Sequence, residues 1–181
     1  MYTYAMNYCI RKSNSGYQNF LAELFDLYQA LLDKELIFTD GEMSPWDFRN
    51  IVVAALRLGK FKWTENFIKA YQYRLKESFR ENAVTFNMAQ LYFYQKKYDQ
   101  VIELLREVEY EDPAYNLNSK TMLLATYYET DEIEPLYSLF ESFRAFLNRH
   151  KDIPAERRES FLNLIKFTKK LTRIVPGEKK E

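Results

Sequence analysis

Gly59-Lys60-Phe61-Lys62-Trp63-Thr64, Lys96-Lys97-Tyr98-Asp99-Gln100-Val101 and Asp131-Glu132-Ile133-Glu134-Pro135-Leu136 are three variants of one short turn entering one helix. In each, an aromatic or aliphatic anchor follows the turn, and apolar residues then recur at three- and four-residue steps. Phe61 leads to Thr64, Ile68 and Tyr71; Tyr98 leads to Val101, Leu105 and Val108; Ile133 leads to Leu136, Phe140 and Phe143. The anchors stand 98 − 61 = 37 and 133 − 98 = 35 residues apart. A period of roughly 34 residues is that of stacked helix–turn–helix arrays, whose units cannot bury an apolar face alone. The pattern predicts an all-α chain: an α-solenoid of about nine helices in antiparallel pairs, wound into a right-handed superhelix.

Composition fits long helices joined by short turns. Four Gly and five Pro among 181 residues leave little punctuation for a loop-rich or all-β chain, and the length suffices for one domain with a core. Aromatics are abundant, with 15 Tyr, 14 Phe and 2 Trp. A formal net charge of zero supplies no global field toward nucleic acid or an anionic membrane. The single Cys9 has no internal disulfide partner. Met1-Tyr2-Thr3-Tyr4 does not resemble a signal peptide, and no run approaches the ~20 apolar residues of a membrane span. A cytoplasmic protein is the expectation.

Along the chain, a first helix from about Tyr2 to Arg11 ends in the turn Ser13-Asn14-Ser15-Gly16. Phe20, Leu21, Leu24, Leu27, Tyr28 and Leu31 then mark an amphipathic helix, with Tyr17 answering Phe61. The extra length of this first unit falls in the loop Phe38–Met43. Ser44-Pro45-Trp46-Asp47 is a helix start: a capping serine, proline in the first turn, and an acid at the capping-box spacing. A third unit opens near Glu81-Asn82, and Asp112-Pro113 ends its second helix. The units are read as 1–37, 44–78, 81–112 and 116–149. A cap over 152–175 buries Phe161, Leu164, Ile165, Thr168, Leu171, Thr172 and Val175. Residues 1–176 form one domain on this reading, and 177–181 a charged tail.

These units resemble the tetratricopeptide repeat, most closely at Ala89, Lys96-x-Tyr98, Val101 and Pro113. Val52 with Gly59-x-Phe61, and Leu124 with Asp131-x-Ile133, continue the likeness over about residues 1–148. The slot that usually holds a small residue in the second helix holds Thr64, Val101 and Leu136. Pro45-Trp46, Tyr92-Phe93-Tyr94, Tyr115-Asn116-Leu117 and Tyr127-Tyr128-Glu129 are similar to a group of uncharacterised bacterial helical-repeat proteins. The resemblance implies a concave groove, lined by the first helices, that holds a peptide or partner segment. Mapping its slots gives Arg49, Asn50, Val53 and Arg57, then Phe86, Asn87, Gln90 and Tyr94, then Thr121, Met122, Ala125 and Glu129, with Tyr128 beside them. A carboxylate clamp of the family's type matches only in part. Asn50, Asn87 and Arg49 fit it, while Val53 and Met122 stand where polar or basic residues belong.

Catalysis has little to rest on. His150 is the one histidine and sits between Arg149 and Lys151 at a helix end, a favourable place for a surface cation. Cys9 reads as a small hydrophobe rather than a nucleophile. Neither a Cys/His metal cluster nor a phosphate-cradling glycine loop is present, so no cofactor is expected. A protein or peptide partner is the expectation, with a structural segment of a larger array as the alternative. An RNA-reading helical repeat would need a basic groove. Residues 99–143 instead carry eleven acidic and two basic side chains, and residues 144–181 eleven basic and five acidic, a complementarity that lets the cap neutralise the array it covers. Tyr2, Tyr4, Ala5, Met6, Tyr8 and Ile10 put apolar surface on several faces of the first helix. That predicts association through the N-terminal end, with another chain or with preceding repeats.

Overall fold

Five helices end in the same way. At Gly16, Glu35, Gly59, Lys96 and Asp131 the backbone turns left-handed, with φ between 54° and 95°. In each case the next amide reaches back five residues, as in Lys60 N–H to Ala55 O, Lys97 N–H to Tyr92 O and Glu132 N–H to Tyr127 O. This is the Schellman closure, which satisfies the last carbonyls of a helix and reverses the chain within two residues. The repeated motif of the sequence is therefore a repeated backbone geometry.

The computed structural model describes residues 2–106 and 113–173. Among these residues the regular structure is helical, and the one β-type pairing is an isolated bridge between Thr39 and Glu42. The elements are α1 (Tyr2–Asn14), α2 (Asn19–Asp33), α3 (Pro45–Arg57), α4 (Phe61–Tyr71), a 3₁₀ turn (Gln72–Arg74) and α5 (Glu77–Tyr94). They continue with α6 (Tyr98–Leu105), α7 (Pro113–Glu129), α8 (Ile133–Arg149) and α9 (Ala155–Leu171). The chain divides into two compact units, Met1–Lys97 and Tyr98–Glu181.

In the first unit α1 packs on α2, α2 on α3, and α3 on both α4 and α5. Its core gathers Leu24, Tyr28, Phe48, Ile51, Val52 and Ile68, all buried. Ser44 caps α3 as its sequence predicts: its Oγ accepts from the Asp47 amide at 3.0 Å and donates to Asp47 Oδ2 at 2.8 Å. The loop before it is held in place. Asp40 and Gly41, at φ 52° and 80°, make the two-residue turn of a tiny hairpin. Arg74 reaches back with Nη1 to Gly41 O at 3.3 Å and Nη2 to Glu35 Oε1 at 3.0 Å, its guanidinium over the Phe38 ring.

In the second unit α6 packs on α7, α7 on α8 and α8 on α9. The positions three and seven after each anchor are buried in both units: Thr64 and Ile68, Val101 and Leu105, Leu136 and Phe140. So are Val52, Ala89 and Leu124 of the first helices. Burying each large aliphatic or aromatic side chain contributes roughly 1.5–3 kcal/mol.

Several sequence expectations shift. α1 runs on to Asn14, so Gly16 rather than Tyr17 marks the turn, and by backbone geometry Tyr17 answers Lys60. α5 begins at Glu77, four residues before the expected Glu81. Its capping position is Lys76, which offers no side-chain acceptor, and Arg80 ties the start down by donating to Gln72 O and Leu75 O. α9 buries only Ile165 and Thr168 fully. Leu171, expected inside, is exposed together with Leu162 and Phe167; among the described elements α9 packs chiefly on α8. Between the cap and the helix it covers, Lys169 Nζ lies 3.9 Å from Glu141 Oε1, while Lys166 and Lys170 rest over Phe167. The acidic run 107–112, the Asp112 helix end, Val175 and the 177–181 tail lie outside the described residues.

Candidate functional site

Three of the residues assigned to a groove, Asn50, Val53 and Arg57, fall on one face of α3 at three- and four-residue steps. They line a cleft of about 160 Å³ between α1, α2 and α3. α1 supplies Ile10, Ser13 and Asn14 to its opposite wall, and α2 supplies a floor of Leu21, Leu24 and Tyr28. Arg57 and Asn14 are exposed, whereas Ser13 and Tyr28 are buried.

The polar groups of this cleft are donors or neutral. Burial pushes the Tyr28 phenol well above its usual range, the Asp47 carboxylate pushes the same way, and a hydrogen bond with Asn50 opposes both. Its hydroxyl therefore stays protonated at any ordinary pH. Ser13 Oγ is buried with no hydrogen-bond partner among the protein atoms. A buried hydroxyl left in that state costs about 1–3 kcal/mol, and it marks the cleft as a place where a polar group is accommodated.

The remaining predicted residues are placed differently. Phe86 and Asn87 of α5 are 1% and 0% exposed, so neither lines an open groove. α5 packs against both α3 and α4, and this turns Phe86 and Asn87 inward. Asn87 Nδ2 donates to Ala83 O at 2.7 Å, and Phe86 lies under the Arg49 guanidinium at 5.8 Å. Gln90 is half-buried, with Oε1 lacking a hydrogen-bond partner, and Tyr94 is exposed on the last turn. Met122, Tyr128 and Glu129 lie on α7 of the second unit; the first two are half-buried, and Glu129 is exposed.

Ser13, Asn14 and Tyr28 escaped the sequence reading. Ser13-Asn14-Ser15-Gly16 looks like a turn, but Met6, Ile10 and Ser13 keep the helical step and carry the serine inward. Elsewhere, His150 caps α8, its ring 4.1 Å from Phe146 and its Nδ1 3.7 Å from Asp152. Cys9 is half-buried. Burial first, and Glu23 second, push its thiol up, away from the reactive thiolate. Among the described residues no cluster of His, Cys, Asp or Glu could hold a metal, and no helix is long and apolar enough to cross a membrane. Comparison with protein-family models, with curated proteins and with solved structures finds no match.

Proposed function

We propose that the protein is a tetratricopeptide-like interaction module without enzymatic activity, holding an extended peptide or partner segment against the first helices of its repeats. The reading is carried by one observation: the α3 slots chosen from repeat phase, Asn50, Val53 and Arg57, meet Ser13 and Asn14 of α1 around a single cleft. A leucine floor with amide and guanidinium donors at its edge suits anchor-and-hydrogen-bond recognition. The raised thiol pKa of Cys9 and the packing of His150 against the Phe146 ring fit a surface that binds rather than reacts.

Selection of peptides from a random library on the whole chain tests the proposal. Val53→Arg fills the cleft and Arg57→Glu inverts its exposed charge, both at positions that are not fully buried. Selected peptides are expected to lose about tenfold or more in affinity to either variant, with helical content and melting unchanged. Peptides that bind both variants as tightly as the parent chain would place the site elsewhere.

A second reading, a scaffold segment that associates through its surface, rests on α1. Tyr4 is 84% exposed there, and Tyr2 and Tyr8 are exposed beside it. Sedimentation of the parent chain against Tyr4→Lys and Tyr8→Lys checks it, since a monomer in every case removes the support.

A further inference from the structure

Two neighbouring ridges of α9 face solvent. Leu162, Lys166 and Lys170 form one and Asn163, Phe167 and Leu171 the other, each at four-residue steps, and all six residues are exposed. Ile165 and Thr168, the two fully buried residues of the helix, lie on its opposite side. Phe167 is 55% exposed, Leu171 44% and Leu162 39%, so the outer side of α9 carries apolar surface that its packing on α8 leaves in water.

The charges beside this surface have one sign. Residues 160–173 contain Lys166, Lys169, Lys170 and Arg173 and no acid, the acids Glu156 and Glu159 lying toward the other end of α9. Lys169 is partly neutralised, its ammonium 3.9 Å from Glu141 Oε1. Lys166 and Lys170 stand 5.9 and 5.6 Å from the centre of the Phe167 ring, and Arg173 reaches the Tyr137 hydroxyl. A ring or a hydroxyl does not compensate a full charge, and these three cations make no ion pair among the described residues.

We propose that the outer side of α9 docks on an anionic lipid surface, with Phe167 and Leu171 entering the headgroup boundary and Lys166, Lys170 and Arg173 among the lipid phosphates. Interfacial helices combine Phe and Leu contacts of this kind with lysines whose stems lie along apolar surface and whose heads stay at the polar level. The size of the patch selects lipid over protein. Even at the ~250 Å² of a large aromatic side chain, three residues about half exposed offer less than about 400 Å² of apolar surface. A stable protein pair covers roughly 800 Å² on each partner. A membrane needs less, because it offers many phosphates to each cation at once. The net charge of zero does not oppose this contact, since charges farther off are screened beyond about 10 Å at ordinary ionic strength. The inference is independent of the peptide-binding reading and of the cleft in the first unit.

Flotation of the whole chain with vesicles tests it, using phosphatidylcholine alone and phosphatidylcholine with roughly one third phosphatidylserine. Binding to the anionic vesicles only is expected, weakening severalfold as salt is raised. Lys166→Gln combined with Lys170→Gln is expected to lower the partition coefficient about tenfold or more, and Phe167→Ala severalfold. Lys34→Gln combined with Lys151→Gln, the same charge change at exposed residues outside α9, leaves it unchanged. Melting is expected to stay at the parent value throughout, because every substituted position is exposed. No binding up to ~1 mM lipid at low salt, equal binding to both vesicles, or unchanged binding by the lysine pair and Phe167 variants overturns the proposal. Self-association in sedimentation that Phe167→Ala abolishes, with no vesicle bound, gives this surface to a second copy and likewise overturns it.

Discussion

Lys96 holds the left-handed backbone, at φ 58°, that Gly59 holds at φ 70° one repeat earlier. The two close their helices with matching bonds: Gly59 N–H to Leu56 O and Lys60 N–H to Ala55 O, then Lys96 N–H to Phe93 O and Lys97 N–H to Tyr92 O. Glycine adopts this conformation freely, but a side chain there costs about 1–2 kcal/mol. Lys96→Gly is therefore expected to raise the unfolding free energy by about 0.5–1 kcal/mol, the gain being trimmed by the looser unfolded chain. At Gly59 an added Cβ would meet nothing within 4 Å. Gly59→Ala should thus lose about 1 kcal/mol from backbone strain alone. Urea midpoints of the two variants check both signs.

The cap at Ser44 gives a second, local test. Ser44 Oγ is the side-chain acceptor for the Asp47 amide, and its hydroxyl in turn meets the Asp47 carboxylate. Ser44→Ala is expected to lower stability by about 1 kcal/mol, and Ser44→Asn to recover most of it. Equal losses in the two would mean that α3 is held by its packing and not by its cap.

The helices were legible because their apolar residues keep strict phase after each anchor: Thr64, Val101 and Leu136 were picked out together and are all fully buried. Ser44-Pro45 was legible because capping is a local chemistry. What a single sequence hides is which side of a helix meets a neighbour when apolar residues surround it. α5 carries Phe86, Asn87, Val84, Met88 and Tyr92 on several faces, so repeat phase alone turned Phe86 and Asn87 outward, where contacts with α3 and α4 turn them in. The same limit hides the α1 wall of the cleft, where the turn-like run Ser13-Asn14-Ser15-Gly16 masks the last turn of a helix. Long-range ties such as Arg74 to Glu35 leave no local trace at all.

Tyr28 predicts an alkaline limit to stability. Burial, reinforced by Asp47, raises its phenol far above the ordinary value near ~10 in the folded chain. The neutral phenol is thus favoured by the fold. Its contribution is fully present below the unfolded value and is lost as pH climbs beyond it, since only the unfolded chain releases that proton. Urea midpoints measured from pH ~8 to pH ~10.5 are expected to fall for the parent chain, and to fall less steeply for Tyr28→Phe. At neutral pH the variant should be weaker by about 1 kcal/mol, because Asn50 loses its hydrogen-bond partner. Parallel curves would assign the alkaline loss to other groups.

Phe140 and Phe167 test how much of the apolar surface in the second unit is core. Phe140 on α8 is 0% exposed and meets Tyr137 edge-on at 5.5 Å, whereas Phe167 on α9 is 55% exposed beneath the ammonium groups of Lys166 and Lys170. Truncating a fully buried phenylalanine removes its transfer energy and leaves a cavity, together about 3–5 kcal/mol. That is a large part of the ~5–15 kcal/mol that holds a domain folded, so Phe140→Ala is expected to lower the urea midpoint sharply or abolish cooperative unfolding. Phe167→Ala should stay within about 0.5 kcal/mol of the parent, as substitutions away from the core do. A loss at Phe167 as large as that at Phe140 would mean that another surface covers this face of α9 in solution, and sedimentation of the parent chain would then be expected to show more than a monomer.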